Sequence, residues 1–235
     1  MPAILVAYES DEYATVGSLF EPDYEAVNAL APDLFIIAGR SSGAYEDLSA
    51  IAPTVDLSND WADFVPSVKA NSLLLGEIFG KTEDVEAMIA DLDASIARFR
   101  QNADEIGTAL IIMSSGGEIT AYGPGSRFGL VHDTLGVAPA VVDVEAATHG
   151  DAVSFEFLLE TDPDWLIVLD RDAAIGQQAD SARQVLDNEL MHQTSAWQND
   201  RIVYVDSARW YVTNGGIANL DAVVDELADA MLAGN

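Results

Sequence analysis

The sequence predicts an α/β protein with mainly parallel sheets, built as two lobes that one long helix joins. Helical and strand-like segments alternate along the 235 residues, which favours parallel strands with helical connections. Residues 82–105 contain neither Gly nor Pro and carry apolar side chains at helical spacing. A segment in the first part of the chain recurs in the second part, which indicates two halves of similar construction.

The elements follow from apolar runs, helical spacing and capping residues. Thr82 is the expected N-cap of the linking helix over residues 82–105, and two acidic residues follow it. This helix divides the chain into an N-terminal lobe, residues 1–81, and a C-terminal lobe, residues 106–235. A last helix is expected from about Ile217 to Leu232. The predicted strands are residues 34–39, 53–57, 108–113, 141–144, 165–170 and 202–206.

The repeated segments end at Arg40 and Arg171. Aligned without gaps, each has an N-cap candidate (Asp23 or Ser154), an early Glu, then Pro-Asp, an apolar run and the arginine. Ordinary helix-to-strand order could also produce such a match. The other interpretation is two related lobes, each with an arginine at the carboxyl end of a strand, where open α/β sheets bind ligands.

The composition excludes several classes of function. Ten Lys and Arg stand against forty Asp and Glu, so the formal charge of −30 argues against a nucleic-acid partner. The absence of cysteine excludes disulfides, thiolate metal sites and cysteine nucleophiles. No run approaches the roughly 18 to 20 apolar residues of a membrane span, and the first residues carry no signal sequence. An acidic surface with few lysines suits a salty medium.

Three arginines lie at the ends of strand-like runs or in a Gly-rich turn, where we expect loops. Arg40 follows IIAG, Arg127 lies in YGPGSRFG and Arg171 follows LIVLD. Guanidinium is permanently charged and presents a planar set of donors. Any one of them could be an ion-paired or solvent-facing side chain, but together we expect them to converge on one anionic ligand.

Four segments, which together span most of the chain after about residue 12, carry a family resemblance. They are VGSLFEPDYEAVNALAPDLFIIAGR (16–40), ITAYGPGSRFG (119–129), HGDAVSFEFLLETDPDWLIVLDRDAAIG (149–176) and VLDNELMHQTSAWQNDRIVYVD (185–206). In these segments the chain resembles the iron-siderophore substrate-binding proteins of ABC importers. These are class III periplasmic binding proteins, in which one rigid helix joins two α/β lobes, and the most similar subgroup binds ferric catecholate and related siderophores.

The resemblance implies a binding protein, without catalysis and without an intrinsic cofactor, whose transported ligand is a ferric siderophore. An arginine triad binds the negatively charged siderophore in that family, and its motifs place the triad on Arg40, Arg127 and Arg171. Tyr122 and Trp210 are further expected ligand-binding residues, because aromatic rings can stack on catechols.

Some relatives complete the iron coordination with a histidine and a tyrosine when the siderophore supplies only four donors. Fe(III) is a hard ion with six ligands, so imidazole nitrogen and phenolate oxygen suit its open positions. The matching residues are His149 in ATHGDAVSF and Tyr211 in SARWYVTNGG. A shift by one residue would give the second role to Trp210 instead.

Glu25 and Glu156 occupy corresponding positions in the two repeated segments. An acid in the first turn of a helix is favourable in any protein, because it faces the positive end of the helix dipole. In similar binding proteins, however, an acidic residue on each lobe docks against arginines of the membrane permease. The resemblance assigns that role to these two residues.

The resemblance further implies a monomer that works outside the cytoplasm, in the periplasm or anchored to the membrane. The chain starts where family members already have a preceding strand and helix, so we expect the first lobe to be incomplete, short of one βαβ unit of about 30 residues or more.

Other ligands and another class of protein remain open at this stage. Haem, a corrinoid or a bare metal ion are alternative ligands, although three widely separated histidines do not favour a bare-metal site. An enzyme on the same α/β scaffold is a further alternative. The chain has no GxGxxG or Walker phosphate loop, no GxSxG elbow and no cysteine, and GPGSRFG lacks the lysine of a P-loop.

Overall fold

The structure, a computed structural model, describes residues 3–18, 20–142, 150–177 and 179–232. The strands in these ranges are β1 Phe35–Ile37, β2 Thr54–Asp56, β3 Thr108–Ser115, β4 Glu118–Tyr122, β5 Ala138–Pro139, β6 Asp151–Val153, β7 Trp165–Asp170 and β8 Ile202–Tyr204. The α-helices are α1 Tyr24–Leu30, α2 Tyr45–Ser49, α3 Phe64–Phe79, α4 Thr82–Arg100, α5 Ala103–Ile106, α6 Leu130–Asp133, α7 Phe155–Thr161, α8 Arg171–Ala174, α9 Ala182–Leu186, α10 Ser195–Gln198, α11 Ser207–Tyr211 and α12 Ile217–Leu232. Short 3₁₀ helices span Ala3–Glu9, Gly39–Ala44 and Met191–Gln193.

The larger sheet has the strand order β6-β4-β3-β7-β8, and β5 pairs with the start of β3. The pairs β3–β7, β7–β8 and β3–β5 are parallel, whereas β4 is antiparallel to both β3 and β6. The carboxyl ends of β3 and β7 therefore meet at one edge of the sheet, where Ser114 pairs with Asp170.

Alternate residues of β3 point into two different cores. Ile111 packs with α3, α4 and α12 on one face, while Leu110 and Ile112 pack with α7, α9 and α10 on the other. All three side chains are fully buried, as the two-residue period of a strand covered on both faces requires.

A smaller parallel sheet, β1 beside β2, has its own core cluster. This cluster consists of Val27, Ile37, Ala44 and Leu48, and it is separate from the two cores of the larger sheet. The α/β fold class predicted from the sequence is confirmed, with a mixed rather than purely parallel larger sheet.

The long helix predicted over residues 82–105 ends earlier than expected. Helix α4 spans Thr82–Arg100, a turn follows, and α5 begins at Ala103. Thr82 is the first helical residue and Lys81 is the N-cap, so the predicted capping role of Thr82 is wrong. The buried face of α4 carries Leu92, Ile96 and Phe99 at the predicted spacing.

The two repeated segments share their local structure. Asp23 caps α1 and Ser154 caps α7, each accepting backbone hydrogen bonds from the first turn. Both helices end at a left-handed residue, Ala31 with φ 46° and Asp162 with φ 41°. Each then leads through Pro-Asp into a parallel strand that ends shortly before an arginine.

Other elements differ from the prediction. The predicted strand at 141–144 is absent over its described part, residues 141–142, and the strand nearest to it is β5. Helix α3, the hairpin strand β4 and the edge strand β6 were not predicted, whereas α12 has the predicted bounds. Among the described helices, none combines the length and apolar character that a membrane crossing requires.

Candidate anion-binding site

Arg127 and Arg171 converge on the side chain of Tyr211. The Arg171 Nε donates a hydrogen bond to the Tyr211 phenolic oxygen at 3.1 Å. The Arg127 guanidinium lies 4.4 Å from the centre of the Tyr211 ring, and its Nη2 donates to the Tyr211 backbone carbonyl. Two permanent cations therefore contact the same tyrosine, and their positive charge favours negative charge on its phenol or on a ligand next to it.

Arg171 is held by the carboxyl ends of two neighbouring strands. It follows the last residue of β7, and its Nη1 donates to Ser115 Oγ at the end of β3 at 3.2 Å. Asp170 accepts the Ala173 and Ala182 backbone N–H groups, so its carboxylate fixes the turn rather than the guanidinium. About a third of the Arg171 side chain stays exposed, at 34%.

Asp172 contacts both Arg171 and the turn that follows β3. It is buried, its Oδ2 accepts the Gly116 backbone N–H at 2.6 Å, and its Oδ1 lies 3.8 Å from Arg171 Nη1. The sequence places an acid on each side of Arg171, and the 3.8 Å contact forms an ion pair between Arg171 and one of them, Asp172. Both carboxylates also accept backbone N–H groups, which fixes their positions on either side of Arg171.

Arg127 comes from the Gly-rich loop after β4. Gly125 has φ 71°, a left-handed conformation that favours glycine, and its N–H donates to Asp133 Oδ2 at 2.7 Å. At Gly129 a Cβ atom would lie 2.3 Å from the same carboxylate oxygen. The glycines of GPGSRFG thus let the loop close tightly around Asp133 and direct Arg127 towards Tyr211.

Aromatic rings surround the Arg127 guanidinium. Besides Tyr211, Phe128 lies 5.3 Å and Trp61 5.8 Å from it, measured to the ring centres. Burial lowers the pKa of Arg127, and the neighbouring Tyr211 opposes this shift. Trp61 was missed in the sequence, although its position in the loop that follows β2 could have pointed to it.

Arg40 lies at the exposed edge of this group. It belongs to the 3₁₀ helix after β1, and its guanidinium stands 5.2 Å from the Phe20 ring centre. Its charge contributes to the lowered pKa of Arg127, so the two cations act on the same space. Among the described residues, no hydrogen bond or cation-π contact joins Arg40 to Tyr211 or Arg171.

The phenol of Tyr211 has an unusual electrostatic environment. Burial alone would raise its pKa, but the hydrogen bond and charge of Arg171, together with Arg127, outweigh burial, and the pKa of Tyr211 is lowered. Tyr122 behaves oppositely, because burial raises its pKa to about 12. Tyr211 is therefore the phenol prepared to carry negative charge.

Two expected ligand-binding residues lie in the core instead of on a ligand-facing surface. Tyr122 is 1% exposed and packs edge-on against Phe128, with ring centres 4.7 Å apart. Trp210 is 4% exposed, and its Nε1 donates to Glu226 at 3.1 Å. Trp210 thus anchors α11 while the next residue, Tyr211, faces the arginines.

The remaining expected site residues lie elsewhere. His149 falls outside the described residues. Glu25 and Glu156 are both exposed in the first turns of α1 and α7, and hydrogen bonds from its own backbone and from Ser154 lower the pKa of Glu156. Within the described ranges, no group of three or more His, Asp and Glu side chains is arranged to hold a metal ion.

The geometry suits an anionic ligand, because it combines cations at a sheet edge, aromatic rings and a phenol of lowered pKa. Comparisons with known proteins agree with this class. Residues 4–208 match the family described as "Periplasmic binding protein", and the chain belongs to this family.

Two relatives are named for the compounds that they bind. The petrobactin-binding protein YclQ of Bacillus subtilis is 41% identical over 98% of this chain and 73% of its own length. Its crystal structure matches with a TM-score of 0.90, over 98% of this chain and 81% of that one. The ferric-anguibactin-binding protein FatB of Vibrio anguillarum is 33% identical over 97% of this chain and 72% of its own length.

A third relative is the periplasmic catecholate-siderophore binding protein VctP of Vibrio cholerae. Its crystal structure matches with a TM-score of 0.89 at 34% identity, over 99% of this chain and 83% of that one. The fold is therefore that of the class III periplasmic binding proteins, as the sequence resemblance implied.

Proposed function

We propose that this protein binds an anionic ferric siderophore of the catecholate type and delivers it to the permease of an ABC importer. The observation that carries the proposal is the pair of arginines fixed on Tyr211, with Arg40 adding its charge from the smaller sheet. A ferric tris-catecholate spreads net negative charge over oxygen atoms, which guanidinium groups match as donors. The named relatives bind petrobactin, ferric anguibactin and catecholate siderophores.

The ligand would lie between the two lobes, residues 1–81 and 106–235, which the helix region 82–105 joins. Arg40 and Trp61 come from the first of these parts, and Arg127 and Arg171 come from the second. In this role the protein is a monomeric carrier without catalysis or resident cofactor, and it works outside the cytoplasm. Energy for transport would come from ATP hydrolysis on another subunit.

Tyr211 has a second role in the proposal. When a siderophore supplies only four donor atoms, the phenolate of Tyr211 would occupy one open position of the iron. Its lowered pKa supports this role, because a phenolate is the form that binds a hard ferric ion. His149 remains the proposed partner for the second open position.

A fluorescence titration tests the proposal directly. Trp61, next to Arg127, should report a ferric catecholate by quenching. The purified protein is titrated with ferric catecholate siderophore, iron-free siderophore, haem and cobalamin, and tight binding is expected for the first alone. Trp61→Phe serves as the optical control and should lose most of the signal. Tighter binding of haem or cobalamin, or equal binding of the iron-free compound, would reject the proposed ligand.

A further inference from the structure

Residues 57–63 lead the chain from the smaller sheet to the helices of the larger one, and we call them the crossover segment. Leu57 is still attached to the smaller sheet, because its N–H donates to the Ile37 carbonyl at 2.8 Å. Val65 and Val68, at the start of α3, already lie in the core that packs against the larger sheet. The position of the smaller sheet relative to this core therefore depends on the crossover segment.

Helix α3 holds the crossover segment with two polar side chains. The Nδ2 of Asn71 donates to the Leu57 carbonyl at 2.9 Å and to Asn59 Oδ1 at 3.2 Å. These two acceptors match the two hydrogens of an amide nitrogen. The Oγ of Ser67 accepts the Asp60 N–H at 3.1 Å, and Ser67 lies four residues before Asn71, on the same face of the helix. The segment is thus fixed from its beginning to its middle.

Asn59 also contacts the turn between α11 and α12. Because its Oδ1 accepts from Asn71, its Nδ2 is directed to the other side, towards Gly215. A Cβ atom at Gly215 would lie 2.9 Å from this nitrogen. Gly215 has no positive φ, so the backbone conformation does not demand a glycine here. The close approach of Asn59 is what leaves no room for a side chain at Gly215.

This contact joins two parts of the chain that each place an aromatic ring on Arg127. Trp61 comes two residues after Asn59, and its ring centre lies 5.8 Å from the Arg127 guanidinium. Gly215 comes four residues after Tyr211, whose ring centre lies 4.4 Å from the same guanidinium. The distance between the two rings therefore depends on how the crossover segment is held.

We propose that Asn71 is a positioning residue for the anion site. It holds the crossover segment against the turn at Gly215 and thereby keeps Trp61 beside Arg127. A ligand then meets an aromatic wall that is already in place, so less binding free energy is lost in ordering this wall. The effect on ligand affinity rests on the proposed function, whereas the effect on the position of Trp61 does not.

Asn71→Asp tests the donor role, because the carboxylate has nearly the shape of the amide but no N–H. The emission of Trp61 is obtained without ligand, as the difference between spectra recorded with and without Trp61→Phe. Asn71→Asp should shift this emission to longer wavelength and increase its quenching by acrylamide, since Trp61 moves from Arg127 into water. Asn102→Asp is the matched control, because Asn102 donates to the Arg98 carbonyl and not to the crossover segment. An unchanged Trp61 emission in Asn71→Asp would overturn the proposal.

A reversible cross-link separates positioning from a general loss of stability. The Cγ of Asn59 lies 3.8 Å from the place of a Cβ at Gly215, so cysteines at these two positions bring their sulfur atoms within reach of each other. The chain contains no cysteine, so no other thiol competes. The variant that combines Asn59→Cys and Gly215→Cys with Asn71→Asp should show the wild-type emission wavelength of Trp61 when oxidised. Reduction should return it to the wavelength of Asn71→Asp.

Calorimetric titration with a ferric catecholate siderophore measures the consequence for binding. Asn71→Asp should weaken the affinity, by about tenfold if about one tenth of the molecules keep the wall in place. The oxidised cross-linked variant should regain the wild-type affinity and lose it again on reduction. A loss that the cross-link does not restore would overturn the positioning role. Absence of ferric catecholate binding by the wild type would instead reject the proposed function, and the ligand-free emission of Trp61 would still decide whether Asn71 holds the segment.

Discussion

Arg171 donates a hydrogen bond from its Nε to the phenolic oxygen of Tyr211 at 3.1 Å. This single contact joins the end of β7 to the end of α11, and the Asp170 N–H donating to Ser207 Oγ at 2.7 Å ties the same two elements together. The phenol is therefore held in place by the strand that carries the arginine. Its lowered pKa follows from this contact and from the second cation, Arg127.

Tyr211 should ionise before an ordinary tyrosine. Because the pKa of Tyr211 is lowered from 10.0, an absorbance titration at about 295 nm should show a phenolate appearing below the usual range near pH 10. Tyr211→Phe should remove this early component and leave the remainder of the curve in place. Tyr8→Phe, at an exposed position, is the control and should leave the early component intact.

The sign of the stability change follows from the same shift. The pKa of Tyr211 is lower in the folded protein than in the unfolded chain, where it is near 10. This difference stabilises the folded protein fully at pH values above the unfolded pKa. The stabilisation is lost as the pH falls through the folded-state pKa. Tyr122, raised to about 12, acts oppositely and destabilises the folded state above pH 10. The free energy of unfolding of Tyr211→Phe is compared with that of the wild type at a pH below the folded-state pKa of Tyr211 and at a pH above 10. An equal difference at the two pH values would show that the proposed pKa shift is wrong.

Replacing Arg171 by lysine should weaken binding of the ferric catecholate although the charge is retained. Arg171 uses two different nitrogen atoms to donate to Tyr211 and Ser115. Lysine has a single ammonium nitrogen, so it cannot reproduce both hydrogen bonds and also offer a further nitrogen donor to the ligand. Loss of one hydrogen bond to a charged group, roughly 1.5–3 kcal/mol, corresponds to about a tenfold to hundredfold weaker affinity. The fluorescence titration measures this change.

Arg183→Lys provides the matched control. Arg183 also stacks on a tyrosine, with its guanidinium 3.8 Å from the Tyr204 ring centre. Among the described residues, it has no hydrogen bond, ion pair or cation-π contact with Tyr211, Arg127 or Arg171. Its replacement should leave the affinity unchanged. Equal losses in the two variants would mean that general charge, and not the fixed geometry at Tyr211, determines binding.

Glu226 should be a major contributor to the stability of the helix that carries Tyr211. One oxygen of Glu226 accepts the Asp206 N–H at 2.7 Å and the other accepts Trp210 Nε1 at 3.1 Å. Glu226→Ala leaves a buried indole N–H without a partner, so unfolding in denaturant should show a loss of about 1–3 kcal/mol. Asp225→Ala, which removes an exposed carboxylate 3.8 Å from Arg98, should change stability by less than about 1 kcal/mol. Similar effects of the two substitutions would contradict this role.

The sequence indicated the parallel framework because its signals are local. The buried strands β3 and β7 are continuous apolar runs, and the N-caps and the Pro-Asp pairs mark where α1 and α7 begin and end. Strand β4 was missed although Gly116 and Gly117 between two apolar runs are a hairpin signal. The turn after Arg100 contains no Gly or Pro, the residues that usually mark the end of a helix. The sequence therefore predicted that the linking helix continues past this point.

The site was predictable only where the strand-end rule applies. Arg171 follows a parallel strand, and that rule places it at the site edge. Arg127 follows an antiparallel strand, so its approach to Tyr211 depends on the folding of the GPGSRFG loop around Asp133. The burial of Tyr122 and Trp210 depends on tertiary packing, which residue type alone does not reveal.

Removing the charges of Glu25 and Glu156 should impair delivery without changing ligand binding. Both carboxylates are exposed in the first turns of corresponding helices. The double variant Glu25→Gln and Glu156→Gln should bind the ferric siderophore with wild-type affinity. With the cognate permease in liposomes, however, its uptake should fall severalfold, because the proposed contacts to permease arginines are lost.

Glu160→Gln is the control for this experiment, since Glu160 is exposed one turn later on α7 and carries the same charge. Its uptake should equal that of the wild type. Increasing salt should reduce wild-type uptake towards that of the double variant, because exposed charges are screened over about 10 Å at 0.1 M. Wild-type uptake by the double variant would remove the docking role from both residues, whereas a parallel loss of siderophore affinity would show that they act on the ligand site instead.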